Sequence, residues 1–141
     1  MTFSHDLGWA GGFFDGEGCV FVRLPRGKTT SITVQVSQRL REPLDRFAKI
    51  VGLGGVYKIT PTASRSPFYV WGVRNAKDIA ALTDMLIPFC TVKRDELVLM
   101  RRIAVSEPGS NAKQQAAREL IEYQKHLRVA VPNKRRLAER G

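Results

Sequence analysis

The chain has 141 residues, 43% of them hydrophobic, which suits one packed domain and argues against wholesale disorder. Its 23 Lys plus Arg outweigh 13 Asp plus Glu, and the net charge of +10 favours a polyanionic partner, nucleic acid before an anionic membrane surface. No apolar run nears the ~18 residues of a membrane span, and Met1–Asp6 lacks the basic start and apolar stretch of a signal peptide. The expected location is therefore intracellular, with no membrane partner. The two cysteines, Cys19 and Cys90, lie far apart without a CxxC or a nearby His pair, so a zinc site is not expected and both read as small core residues.

Residues 5–14 read as a short helix, with Ser4 or Asp6 as N-cap. Leu7, Ala10, Gly11 and Phe14 share one face and Trp9 with Phe13 another, so the helix is apolar nearly all round and expected to be buried. It should stop at the glycine-rich turn Asp15-Gly16-Glu17-Gly18. Cys19 to Leu24 then reads as a strand and Pro25 to Lys28 as a turn. Thr30 to Gln38 alternates, with Ile32, Val34 and Val36 on one face and Ser31, Thr33, Gln35 and Ser37 on the other, as in a strand with one wet side.

Pro43 is placed to open a helix as its first residue, with Leu44, Phe47, Ile50 and Val51 as its buried stripe, ended by Gly52, Gly54 and Gly55. Val56–Thr60 and Phe68–Val73 suggest a second strand pair. Helices at about 76–87 and 94–104 flank Pro88. Glu107 to Asn111 reads as a loop, 112–126 as a polar amphipathic helix and 128–141 as a basic, loose tail. The expected architecture is α+β, αββαββα with extra C-terminal helix, in one domain over 1–127 followed by the tail.

The glycine load near the N-terminus carries the chemistry. Interior helix glycines cost about 0.5–1 kcal/mol each relative to Ala, which a sequence tolerates where backbones must approach closely. Ala10, Gly11 and Gly12 would let a second helix pack almost backbone to backbone, and an acid, Glu17, follows between two glycines at the end of the same helix. Two copies would bring two carboxylates near the pair axis, and hard divalent cations prefer such oxygen ligands.

Residues 10–18, Ala-Gly-Gly-Phe-Phe-Asp-Gly-Glu-Gly, resemble the LAGLIDADG motif of homing endonucleases in its form ending D-G-E-G. Trp9 before it and the apolar Cys19–Val22 after it fit the same pattern. The resemblance spans about residues 5–104 and includes a Gln-x-x-Gln run at Gln35-Val36-Ser37-Gln38 and a Pro-Phe segment leading to a lysine, Pro88-Phe89 to Lys93. There are departures: Ala10 and Gly11 stand where the motif has Leu and Ala, and Glu42 falls where a basic residue is usual. Arg41 or Arg39 is then the candidate replacement.

This resemblance implies a single-motif fold with a curved antiparallel β-saddle, homodimeric through the motif helix, with Leu7, Ala10, Gly11 and Phe14 assigned to the interface. Glu17 would hold the metal with the Gly16 carbonyl, while Asp15 would brace the helix end. Gln38 and Lys93 would complete the catalytic set by positioning and polarising water. Mg²⁺ is the expected ion, and Mn²⁺ suits the same ligands. Double-stranded DNA would lie along the sheet, read by Phe21, Arg23, Ser31, Thr33, Gln35, Lys58, Thr60, Tyr69 and Trp71, although Tyr69 and Trp71 go to the core if the register is one residue off. Arg26, Lys28, Arg39, Arg41, Arg65 and the tail would meet phosphate.

The implied activity is site-specific double-strand cleavage with 3′ overhangs at a long, near-palindromic target. The alternative is a nucleic-acid binder on the same scaffold, either a maturase acting on intron RNA or a DNA-binding regulator. Retention of Glu17, Gln38 and Lys93 together favours the nuclease.

Overall fold

Strand alternation sets the layers. In β2 (Ser31–Gln38) the side chains of Ile32, Val34 and Val36 are buried, while Ser31 and Ser37 are exposed and Thr33 and Gln35 half-buried. The computed structural model describes residues 3–24, 30–62 and 65–130. In chain order these form α1 (Phe3–Glu17), β1 (Gly18–Arg23), β2, α2 (Arg41–Val51), β3 (Gly55–Ile59), β4 (Phe68–Val73), α3 (Ala76–Leu86), a 3₁₀ turn (Ile87–Phe89), α4 (Arg94–Val105) and α5 (Asn111–Ala130). The fold is α+β, as expected, with one four-stranded antiparallel sheet in the order β1-β2-β4-β3.

One face of the sheet is covered by helices. Val20, Val34, Val36, Trp71 and Val73 pack there with Phe14, Leu44, Phe47, Ile79, Leu82 and Leu97 in a single core. An aromatic chain runs through it: Trp9 stacks on Phe13 at 5.0 Å, Phe13 meets Phe47 at 5.8 Å, and Phe47 meets Trp71 edge-on at 4.7 Å. Such pairs add about 0.5–1.5 kcal/mol each beyond the area they bury. The Trp71 indole N–H is satisfied by the Leu53 carbonyl at 2.9 Å.

Several boundaries differ from expectation. α1 continues through Asp15 and Gly16 to Glu17, and β1 starts at the next residue, so the glycines form no separate turn. Neither Ser4 nor Asp6 precedes the helix, which already includes both. Pro43 is the third residue of α2, behind Arg41 and Glu42, a position where its missing N–H is still outside the helical ladder. Gly52 does end α2, in the left-handed conformation at φ 68°. α5 runs on to Ala130, beyond the expected 126. The turn assigned to 25–28 and the tail from 131 lie outside the described residues.

The largest correction concerns α1. Ala10, Gly11 and Phe14, assigned to a dimer interface, are buried inside this chain, and Leu7 is half-buried beside α2. A methyl group at Gly11 would come within 2.5 Å of Phe89 Cβ and 2.7 Å of its carbonyl oxygen, so the close backbone approach there is internal, between α1 and the 3₁₀ turn. The open face is instead Gly8, Gly12 and Gly16, spaced four apart and therefore in one stripe, and among the described residues nothing lies within 4 Å of where their Cβ atoms would be. Gly11→Ala should lower unfolding stability by about 1–3 kcal/mol in urea denaturation, because the obstacle is backbone rather than a flexible side-chain tip.

Candidate active site and nucleic-acid interface

Glu17 is the last residue of α1, exposed, and enters no hydrogen bond or ion pair with another side chain among the described residues. Two residues earlier, Asp15 turns the other way. Its carboxylate accepts the backbone N–H of Thr91 at 2.8 Å and of Lys93 at 2.9 Å, across more than seventy residues of sequence. Lys93 is the N-cap residue of α4, so Asp15 locks the end of α1 to the start of α4 and brings Lys93 to the neighbourhood of Glu17. The brace role expected for Asp15 matches this geometry.

Burial pushes the Asp15 carboxyl up, but the N–H groups of Thr91, Lys93 and Val92, with the Cys90 thiol, outweigh it and hold the group below its ordinary value. The Cys90 thiol is buried, donates to the Gly11 carbonyl at 3.4 Å and, through burial and the nearby Asp15 charge, is pushed up to about 12. Cys90 is thus a core residue as expected, whereas Cys19 is exposed.

The β1–β2 register sets Gly18 opposite Val36. Glu17, just before β1, and Gln38, the last residue of β2, therefore lie at the same end of that ladder. Gln38 is half-buried and opens on a cleft shared with Ser37, Arg39, Pro61, Arg65, Ser66 and Phe68. Lys93 is half-buried too, but opens on a different cleft, between β1 and α5, with Cys19, Phe21, Glu96, Gln124 and Arg128. The chain thus gathers Glu17, Gln38 and Lys93 around one end of the sheet without joining them in one pocket.

Of the assigned interface residues, Phe21, Arg23, Ser31, Thr33 and Gln35 lie on the sheet face away from the helices and surround one open depression. Arg74 completes that depression; it was not singled out from the sequence, because the strand before it, Phe-Tyr-Val-Trp-Gly-Val, is apolar at both parities. Pairing of Val36 with Trp71 and of Gln38 with Tyr69 puts Trp71 and Tyr69 on the core side, the one-residue alternative, and Trp71 is fully buried. Lys58, paired with Tyr69, follows them to that side and Thr60 lies past the end of β3. On the side away from the helices β3 and β4 carry Gly55, Tyr57, Ile59, Phe68, Val70 and Gly72; Tyr57 is 43% exposed there, whereas Val70 is buried.

Arg39 and Arg65 sit in the Gln38 cleft. Arg41 is engaged elsewhere, 3.3 Å from Asp45 and with its guanidinium 5.9 Å from the Tyr69 ring centroid. Glu42 is exposed in the first turn of α2. Arg26 and Lys28 lie outside the described residues.

No protein-family model and no curated protein sequence matches the chain. Solved structures do. The homing endonuclease I-CvuI, in complex with the I-CreI target in Mg with DNA not cleaved, superposes with a TM-score of 0.68 at 17% identity, over 94% of this chain and 85% of that one. The archaeal intron-encoded homing endonuclease I-Vdi141I, complexed with DNA, gives 0.58 at 24% identity over 72% and 67%. The LAGLIDADG meganuclease I-AabMI, bound to uncleaved DNA, gives 0.56 at 18% identity over 92% of this chain and 40% of that one. The fold is that of the LAGLIDADG homing endonucleases, which is the fold the motif at 10–18 implied.

Among the described residues, no helix is long and apolar enough to cross a membrane.

Asp15→Asn should cost about 2 kcal/mol at neutral pH, because a charge-assisted acceptor of two N–H groups becomes a neutral amide with only one acceptor oxygen. The native pKa is depressed, so the parent's advantage is full above the ordinary carboxylate value and disappears as pH falls from about 4 through the native value. Urea unfolding of both proteins between neutral and acid pH should show the two stabilities converging.

Proposed function

We propose that this chain is an intracellular, site-specific DNA endonuclease of the homing type, working as a symmetric homodimer that makes metal-dependent double-strand breaks with 3′ overhangs at a near-palindromic target. The observation that carries the reading is the outer side of α1: an unobstructed Gly8–Gly12–Gly16 stripe on the helix that ends in the exposed carboxylate of Glu17. A second copy packed on that stripe would bring its own Glu17 to the same axis. That I-CvuI and I-Vdi141I are homing endonucleases solved with DNA supports the substrate, and the match leaving more than half of I-AabMI uncovered is consistent with one chain being half of a working unit.

Among the described residues of one chain, no group of three or more His, Cys, Asp or Glu could hold a metal. One carboxylate, Glu17, and the Gly16 carbonyl per chain are nevertheless hard oxygen donors, and two copies of them would suit Mg²⁺ or Mn²⁺. A divalent cation held there would supply charge neutralisation on the phosphate and so favour in-line displacement. The chain's own groups have separate tasks. The Gln38 amide orients water from one side, and the Lys93 ammonium offsets the charge gathering on the phosphate from the other. Arg39, beside Gln38 in its cleft, supplies the cation that Glu42 does not.

On the outward sheet face, Arg23, Gln35 and Arg74 are the hydrogen-bonding readers, since Arg and Gln pair bidentately with guanine and adenine edges. Tyr57, Ile59 and Phe68 offer apolar contact to the other part of each half-site. Two copies about a two-fold axis read inverted half-sites.

The test is cleavage of DNA from the gene's own insertion locus. The parent chain should cut both strands in Mg²⁺ and neither in EDTA. Glu17→Gln should still bind the target and lose at least about a thousandfold in rate, while Gly12→Leu should sediment as a folded monomer and fail to make double-strand breaks. Tight binding without cleavage in either metal would point instead to the maturase or regulator reading. In a library of single base-pair substitutions, Arg74→Ala should relax preference at one or two positions per half-site, each by about 1–3 kcal/mol.

A further inference from the structure

α5 lies outside the αββαββα unit, yet one of its side chains reaches the two elements that directly follow Glu17 and Lys93. Gln124 Nε2 donates to the Val20 carbonyl at 3.0 Å and to Glu96 Oε2 at 3.1 Å. Val20 stands in β1, three residues after Glu17, and Glu96 stands in α4, three residues after Lys93. Glu96 is only 7% exposed, and the Gln124 amide is the one hydrogen-bond donor its carboxylate meets among the described residues. β1 is an edge strand, so its free side has no further strand to bond. Both hydrogens of one amide are thus spent joining an edge-strand carbonyl to a buried carboxylate on another element.

The packing of α5 on α4 does not depend on this amide. Leu97, Met100, Ala117 and Leu120 are buried in the shared core, and Arg102 pairs with Glu119 across the same two helices. What Gln124 adds is the tie from that helix pair to β1. The Asp15 carboxylate secures the segment entering α4 to the end of α1, and Gln124 secures the first turn of α4 to the strand that α1 runs into. Together the two links fix how the start of α4 sits against the α1–β1 junction.

We infer that Gln124 is a positioning residue of the nuclease, setting the spacing between the Glu17 carboxylate and the Lys93 ammonium by bridging β1 and α4. The inference rests on the proposed nuclease reading. It acts through geometry alone, since the Gln124 amide is no acid or base at neutral pH and reaches Glu17 and Lys93 only through the elements that follow them.

The experiment compares the parent with Gln124→Met, close in size but without the donors, with Glu96→Gln, which keeps an acceptor oxygen, and with Glu96→Met, which does not. Each is measured for target-DNA affinity, thermal midpoint, single-turnover cleavage at saturating enzyme and the Mg²⁺ concentration for half-maximal rate. Gln124→Met and Glu96→Met should bind DNA within about twofold of the parent, cleave about ten- to a hundredfold more slowly and need more Mg²⁺, while Glu96→Gln stays near the parent. A lowered thermal midpoint with parental rate and Mg²⁺ dependence per folded molecule would make the bridge purely structural and overturn the inference. Should Gln124→Met fail to fold, the contrast between Glu96→Gln and Glu96→Met decides in the same way. Absence of cleavage by the parent itself would overturn the nuclease reading, and this inference with it.

Discussion

Asp15 and the turn from Thr91 to Lys93 come from opposite ends of the fold, and the meeting of one carboxylate with two backbone N–H groups there aligns almost everything else. The first turn of a helix leaves N–H groups without intrahelical partners, and the segment entering α4 finds its acceptor on α1 rather than on a local capping side chain. Because the acceptor is charged, the link is among the stronger kinds of hydrogen bond. It also selects which acid is left over. With Asp15 turned inward to the turn, Glu17 is the acid at the helix end that stays exposed, with no side-chain partner among the described residues. A carboxylate bound to backbone and an exposed one thus stand two residues apart, distinguished by what the backbone of α4 requires.

The glycines of α1 divide in the same manner. Gly11 lets the helix lie against Phe89, in the short turn that delivers Thr91 and Lys93 to Asp15, so the internal contact supports the brace. Gly8, Gly12 and Gly16 leave another side bare of the described residues. A helix that is thin on two sides meets one packing demand within the chain and leaves a second side open, and each interior glycine adds to the conformational cost of forming it.

Much of this was legible in the sequence, unevenly and for physical reasons. β2 alternates strictly, so its inward and outward faces were clear from Ile32, Val34 and Val36 alone. β4 is apolar at every position, and its register came only from pairing with β2, which is why Tyr69 and Trp71 were open to either face and Arg74 went unnoticed. α1 has small or apolar residues all round, so its periodicity named no inward side; the bulk of Phe14 and the position of Phe89, distant in sequence, decided it. Glu17, Gln38 and Lys93 were singled out because each carries a motif, whereas Gln124 belongs to a polar helix whose pattern distinguishes it from no neighbour. Cys19 was misplaced because β1 is short and its small thiol resembles a core residue in composition, although its outward parity with Phe21 and Arg23 sends it to the open face.

That misplacement gives the two cysteines very different lives. Cys90 is sealed inside, its thiol pushed far above neutral pH, and reacts with little so long as the chain stays folded. Cys19 sits in solvent on the outward face, two residues past Glu17 and on the rim of the Lys93 cleft. The unaltered chain therefore has a single exposed thiol to which a fluorophore or spin label can be attached, placed on the outward face of the sheet. The same placement makes the outward face the part of the molecule that oxidants reach first, before any damage to the core.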